Sequence, residues 1–107
     1  MSNLEDTLAA QMTLAKLPAF KREYCAIQGR RFRWDFAWPS VVHNLLVEVQ
    51  GGTWAKGAHS SGAGINRDTE KLNLATLSGW RVMQFTGDQI RSGQALRWLQ
   101  AFFQAAA

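Results

Sequence analysis

Residues 32–38 read Phe-Arg-Trp-Asp-Phe-Ala-Trp, with an aromatic ring at every second position. A period of two does not follow one stripe of a helix, but it does follow one face of a pleated strand. Phe32, Trp34, Phe36 and Trp38 are therefore expected on one face, and Arg31, Arg33, Asp35 and Ala37 on the other. Four large rings on one face need a covering layer, so the chain is constrained to a sheet backed by helices, with the aromatic face as the core side.

The neighbouring segments supply the rest of that sheet. KREYCAIQ (21–28) reads as a strand that turns at Gly29 into the aromatic strand, 31–38. After WPSVVHN the chain returns as LLVEVQ (45–50), with Leu45, Val47 and Val49 on one face and Leu46, Glu48 and Gln50 on the other. NLEDTLAAQMTLAKL (3–17) spaces Leu4, Leu8, Met12 and Ala15 as an amphipathic helix, with Ser2 or Asn3 as N-cap and Pro18 as its stop. NRDTEKLNLATLSG (66–79) reads as a second helix, capped by Asn66 and closed by Gly79. WRVMQF (80–85) is a fourth strand, and a last helical region carries Leu96, Leu99 and Phe103 on one side. This order predicts an α/β fold: a mixed four-stranded sheet, an antiparallel meander plus one parallel crossover strand, flanked by helices.

At 107 residues the chain is expected to form one domain, 1–107, with no internal repeat or linker. Twelve Lys and Arg against eight Asp and Glu give a net charge of +4 and a pI near 9.8, which favours a nucleic acid over a membrane surface. No apolar run approaches the ~18 residues of a membrane span. The amino terminus, MSNLEDTLAA, lacks a basic-then-apolar signal pattern, so the expected compartment is cytoplasmic. A lone Cys25 excludes an internal disulfide and is expected as a small core residue; no Cys/His spacing suggests zinc.

Glu48 is the residue that this fold does not explain, a carboxylate within an apolar strand. A symmetric turn about positions 41 and 42 sets Asp35 opposite Glu48, and Arg33 opposite Gln50. Like charges directly across a ladder repel, so the pair calls for a proton or a cation, and hard divalent cations prefer such oxygens. Glu23 joins Asp35 if the first hairpin turns through three residues at 28–30, and faces away if it turns through two. Glu23 is then either a further ligand or a solvated acid that balances Lys21 and Arg22.

These residues resemble the PD-(D/E)xK nuclease superfamily, in which an Asp on one strand is followed by a strand reading Glu-x-Lys. Asp35, then twelve residues, then Glu48-Val49-Gln50 looks like that pattern with Gln in place of Lys. The wider run RRFRWDFAWP, VEVQGGTW, GAHSSG and RDTEKLNLATLSGWRVMQFT is similar to small stand-alone phage and bacterial nucleases related to the DUF559 and very-short-patch-repair endonucleases. The resemblance covers residues 21–86 and implies a restriction-endonuclease-like core acting on DNA. It also implies Mg²⁺ or Mn²⁺ held by Asp35, Glu48 and the Val49 carbonyl, with Gln50 orienting the attacking water. Such an ion polarises a phosphoryl oxygen and lowers the pKa of bound water. A homodimer would carry two such sites to the two strands of a duplex.

Glutamine orients water but carries no charge, so another cation has to stand where the superfamily uses Lys. Lys71 is one candidate, near Arg67, Asp68 and Ala75 at helical spacing; the alternative is a surface lysine. His59, in the glycine-rich segment 51–64, is the other, as general base or phosphate contact, against an exposed loop histidine; His43 reads as structural. Lys21, Arg22, Arg30, Arg31, Arg33, Lys56 and Arg67 supply phosphate contacts, and Trp54 either stacks on a base or packs over its own loop. Two classes of function stay open, a metal-dependent endonuclease and a DNA-binding module on a nuclease-like fold that has lost catalysis. An acid/base enzyme acting on a small molecule lacks a visible pocket.

Overall fold

The computed structural model describes residues 3–50 and 62–106. Its elements are α1 (Asn3–Leu14), β1 (Lys21–Tyr24), β2 (Trp34–Trp38), β3 (Leu45–Gln50), α2 (Gly62–Leu77), β4 (Arg81–Thr86), α3 (Gly87–Arg91) and α4 (Gln94–Ala105). The strands lie in the order β1-β2-β3-β4, with two antiparallel pairings and a parallel one between β3 and β4. This is the expected mixed four-stranded sheet flanked by helices.

The helix ends show how local chemistry sets the elements. α1 stops before Pro18, because Lys16 adopts a left-handed conformation (φ 60°) and the Leu17 N–H reaches back to the Met12 carbonyl at 3.1 Å. The Pro18 carbonyl then accepts the Trp38 indole N–H at 2.8 Å, which ties the exit of α1 to the end of β2. α2 begins at Gly62, so Asn66 lies inside the helix and is not its cap. Its end is as expected: Gly79 takes φ 88° and the Trp80 N–H bonds the Ala75 carbonyl at 2.9 Å.

The sheet is buried on both faces. On one, Phe36, Trp38, Leu45, Val47 and Phe85 pack with Leu8 and Met12 of α1, Ile90 of α3, and Ala95, Leu99 and Phe103 of α4. On the other, Trp34, Ala37 and Leu46 pack with Ala75 of α2, and Phe32, Tyr24 and Trp80 close around them. The expected single aromatic face is thus divided, with Phe36 and Trp38 toward α1 and Phe32 and Trp34 toward α2. The division falls at Asp35. The pairs Arg22–Phe36 and Tyr24–Trp34 hold on either side of it, but Glu23 between them has φ 51° and the pleat alternation fails there. A central strand covered on both sides needs rings on both sides, and this break provides them.

β1 and β2 are shorter than their sequence segments, which leaves a long connection over residues 25–33. The Arg30–Glu70 ion pair at 2.6 Å and the Lys71 ammonium on the Arg33 carbonyl at 2.6 Å hold it against α2. Cys25 lies exposed in this connection, not in the core. Among the described residues no helix is long and apolar enough to cross a membrane.

Candidate active site

The β2–β3 register is that of the symmetric turn, with Phe36 opposite Val47, Ala37 opposite Leu46 and Trp38 opposite Leu45. Asp35 and Glu48 each lie one residue beyond the Phe36–Val47 pair. The pleat break nevertheless separates their side chains. Asp35 turns toward α1, whereas Glu48 keeps the face of Leu46 and points toward α2. A single cation held between them, as the facing positions suggested, is not the arrangement found.

Asp35 meets two other carboxylates instead. One oxygen each from Glu5, Glu23 and Asp35 lie within 4.8 Å of one another. Three separate elements supply them, α1, β1 and β2. The Val49 main-chain N–H donates to Asp35 Oδ2 at 2.7 Å and fixes that carboxylate at the end of the ladder. The left-handed backbone at Glu23 is uncommon for a residue with a long side chain, and such strain persists where the surrounding structure enforces it. Of the two first-hairpin registers left open by the sequence, the structure has the one that brings Glu23 to Asp35.

Electrostatics record the crowding. The Glu5 carboxyl is pushed up to about 7, first by burial, then by the charges of Asp35 and Glu23 and a hydrogen bond shared with Asp35; Arg22 opposes the shift. Arg22 Nη2 lies 3.8 Å from Glu5 Oε1 and 3.1 Å from Asp6 Oδ1, and its guanidinium covers the Phe36 ring at 5.2 Å. Arg22 thus sits as a cation at the edge of this cluster.

On the opposite face the Lys71 ammonium bonds Glu48 Oε2 at 2.9 Å and the Arg33 carbonyl at 2.6 Å, and lies 4.7 Å from the centre of the Trp34 ring. Burial raises the Glu48 pKa and the hydrogen bond and charge of Lys71 act against it. Glu48 Oε1 is buried without a hydrogen-bond partner; the Asp35 main-chain amide favours its charged form but does not reach hydrogen-bond geometry. With Gln50, Asp68, Gln84 and Trp34 these two residues line a cleft of about 30 Å³, room for a water-sized group. Lys71 is therefore brought to Glu48, as the motif reading suggested, but away from the carboxylate cluster.

Arg31 and Arg33 are exposed on the 25–33 connection, and Arg67 is exposed on α2. Trp54, Lys56 and His59 lie outside the described residues. The residue that sequence reasoning missed is Glu5, in the first turn of α1. Its position was legible, because 5, 8 and 12 follow one helical stripe, and Leu8 and Met12 are fully buried.

No family model matches the sequence, and no curated protein matches it. Among solved structures, the chain is similar to the catalytic domain of the homing endonuclease I-Bth0305I, with a TM-score of 0.72 and 17% identity over 99% of this chain and 98% of that one. At this identity the likeness shows a shared fold.

Proposed function

We propose that the protein is a metal-dependent DNA endonuclease that hydrolyses phosphodiester bonds. The observation that carries this reading is the convergence of Glu5, Glu23 and Asp35 from three elements onto one point beside a strained strand residue. A stabilising role does not account for it, since three carboxylates so placed repel one another. The fold shared with a homing endonuclease catalytic domain and the excess of basic residues support the same reading.

The donor set fits a hard divalent cation. All three groups offer carboxylate oxygens, as Mg²⁺ and Mn²⁺ prefer. Glu5, Glu23 and Asp35 would hold the ion, and the Val49 carbonyl, a ligand by the family resemblance, follows the N–H that already fixes Asp35. When bound, the ion supplies Lewis-acid polarisation of the phosphate and acidifies a coordinated water. Asp35, whose Oδ2 accepts the Val49 N–H, would offer its other oxygen to the ion, and Glu5 and Glu23 would complete the carboxylate set. Gln50 lines the cleft of Glu48 and Lys71 on the opposite face, so the water-orienting role that the resemblance implies for it is not carried over to this ion. Arg31, Arg33 and Arg67 are available to phosphates of the backbone, and Lys56, Trp54 and His59 keep the roles that the sequence suggests.

A second reading, a DNA-binding module without catalysis, is favoured by one observation: Gln50 replaces the customary Lys and the nearby Lys71 is fully engaged with Glu48 and Arg33. Cleavage of supercoiled, branched and single-stranded DNA with Mg²⁺, Mn²⁺ or EDTA separates the two. The endonuclease reading expects metal-dependent nicking that Asp35→Ala and Glu5→Ala abolish. DNA binding without turnover in any metal establishes the second reading.

A further inference from the structure

We propose that Arg22 is the cation that stabilises the transition state in place of the missing motif lysine, an inference that rests on the endonuclease reading. Lys71 does not fill that place. It lies on the α2 face with its ammonium on Glu48, Arg33 and the Trp34 ring, and its side chain is only 16% exposed. Arg22 lies on the α1 face with the cluster. Its partner across the ladder is Phe36, the neighbour of Asp35, and its guanidinium stacks over that ring.

Two properties suit Arg22 to a phosphate. Its side chain is 40% exposed, so a substrate reaches it without rearrangement of the core. Its bonds are also exchangeable: Asp6 is half-exposed, and the contact with Glu5 is long at 3.8 Å. In the metal-free protein Arg22 acts as a partial counter-ion to the cluster and lowers the Glu5 pKa. A divalent cation on Glu5, Glu23 and Asp35 makes that service redundant and leaves the fork free for a substrate oxygen. Guanidinium is the cationic group best matched to a non-bridging phosphate pair.

In the step itself a water oxygen bonds to phosphorus, the bond from phosphorus to one ester oxygen breaks, and the proton lost by the water ends on that departing oxygen. No electrons leave or enter. The added negative charge of the five-coordinate phosphorus is carried on its equatorial oxygens, and Arg22 meets it there.

The test compares wild type, Arg22→Ala, Arg22→Lys and Asp35→Ala. Single-turnover cleavage by Arg22→Ala is expected to fall roughly 100-fold, while DNA affinity changes less than about threefold, the loss of a single phosphate contact. Added guanidinium ion is expected to restore part of the rate, and Arg22→Lys to retain part of it. A readout without turnover accompanies these: Mn²⁺ titrated calorimetrically into Arg22→Ala without DNA binds several-fold more tightly than into wild type, because one positive charge has left the rim of the site. Wild-type cleavage that Asp35→Ala abolishes and Arg22→Ala leaves within threefold overturns the role of Arg22 alone. A rate loss in Arg22→Ala that guanidinium does not restore, with Arg22→Lys equally inactive and Mn²⁺ affinity unchanged, overturns it too. Absence of cleavage by wild type in every metal overturns the endonuclease reading, and this inference with it.

Discussion

Asp35 and Glu48 each lie one residue beyond the Phe36–Val47 pair that ends the β2–β3 ladder, yet they send their carboxylates to opposite faces of the sheet. One enters a three-acid cluster under α1, and the other is neutralised by Lys71 under α2. The strand pair thereby supports two polar sites back to back, joined through main-chain atoms: the Val49 N–H holds Asp35 from the residue next to Glu48.

The cluster sets a pH dependence of stability. The folded protein holds the Glu5 proton up to about 7, above the ordinary value of 4.5, so it binds that proton more tightly than the unfolded chain does. Stability therefore falls as pH rises through the window from 4.5 to about 7, by at most on the order of 3 kcal/mol. Glu5→Gln is expected to remove this fall. Urea unfolding at pH 5 and pH 8 measures it, and equal slopes with pH in the two proteins would refute the assignment.

A divalent cation held by the three carboxylates is expected to offset their mutual repulsion. Mg²⁺ or Mn²⁺ is expected to raise the thermal midpoint of the wild type, more at pH 8 than at pH 6, because at the lower pH the ion must displace the Glu5 proton. Asp35→Asn should lose most of this gain. A thermal shift titration with EDTA as reference checks it.

Glu23→Gly separates strain from function. Glycine accepts φ 51° without penalty, so the substitution is expected to stabilise the metal-free fold by about 1 kcal/mol. It also removes a cluster carboxylate, so cation affinity should fall. A variant that is more stable and binds Mn²⁺ less tightly fits this account; a less stable one does not.

The ion pair on the other face answers differently. Lys71→Met leaves the Glu48 carboxylate without its partner, with Oε1 already unbonded, and is expected to cost about 2 kcal/mol. Adding Glu48→Gln should recover part of this loss, since no charge then remains buried. Denaturant midpoints of the two singles and the double give the coupling.

Arg31→Ala and Arg33→Ala are expected to weaken DNA binding uniformly across sequences and to reduce the slope of log affinity against log salt by about 1 each. Fluorescence anisotropy at several salt concentrations measures the slope.

Much of the fold was legible. The element order followed from periodicity, Gly79 closed its helix as its position suggested, and the β2–β3 register followed from the centre of the turn. The faces of β2 were not. Alternation from Phe32 to Trp38 assumes an unbroken pleat, and the break depends on a left-handed Glu23 that no local preference announces. The cluster was legible in part for the same reason. Asp35 was identified, and Glu23 depended on a turn length that the sequence left open. Glu5 comes from a helix some thirty residues upstream, and no spacing along the chain ties that helix to the strand of Asp35.

That origin of Glu5 links the cluster to the packing of the helices. α1 is docked through Leu8 and Met12 against α3 and α4, the last elements of the chain. Were α1 to detach, the cluster would keep only its two strand carboxylates, Glu23 of β1 and Asp35 of β2. Loosening of α3 or α4 is therefore expected to move Glu5 away from Glu23 and Asp35 without touching either of those residues.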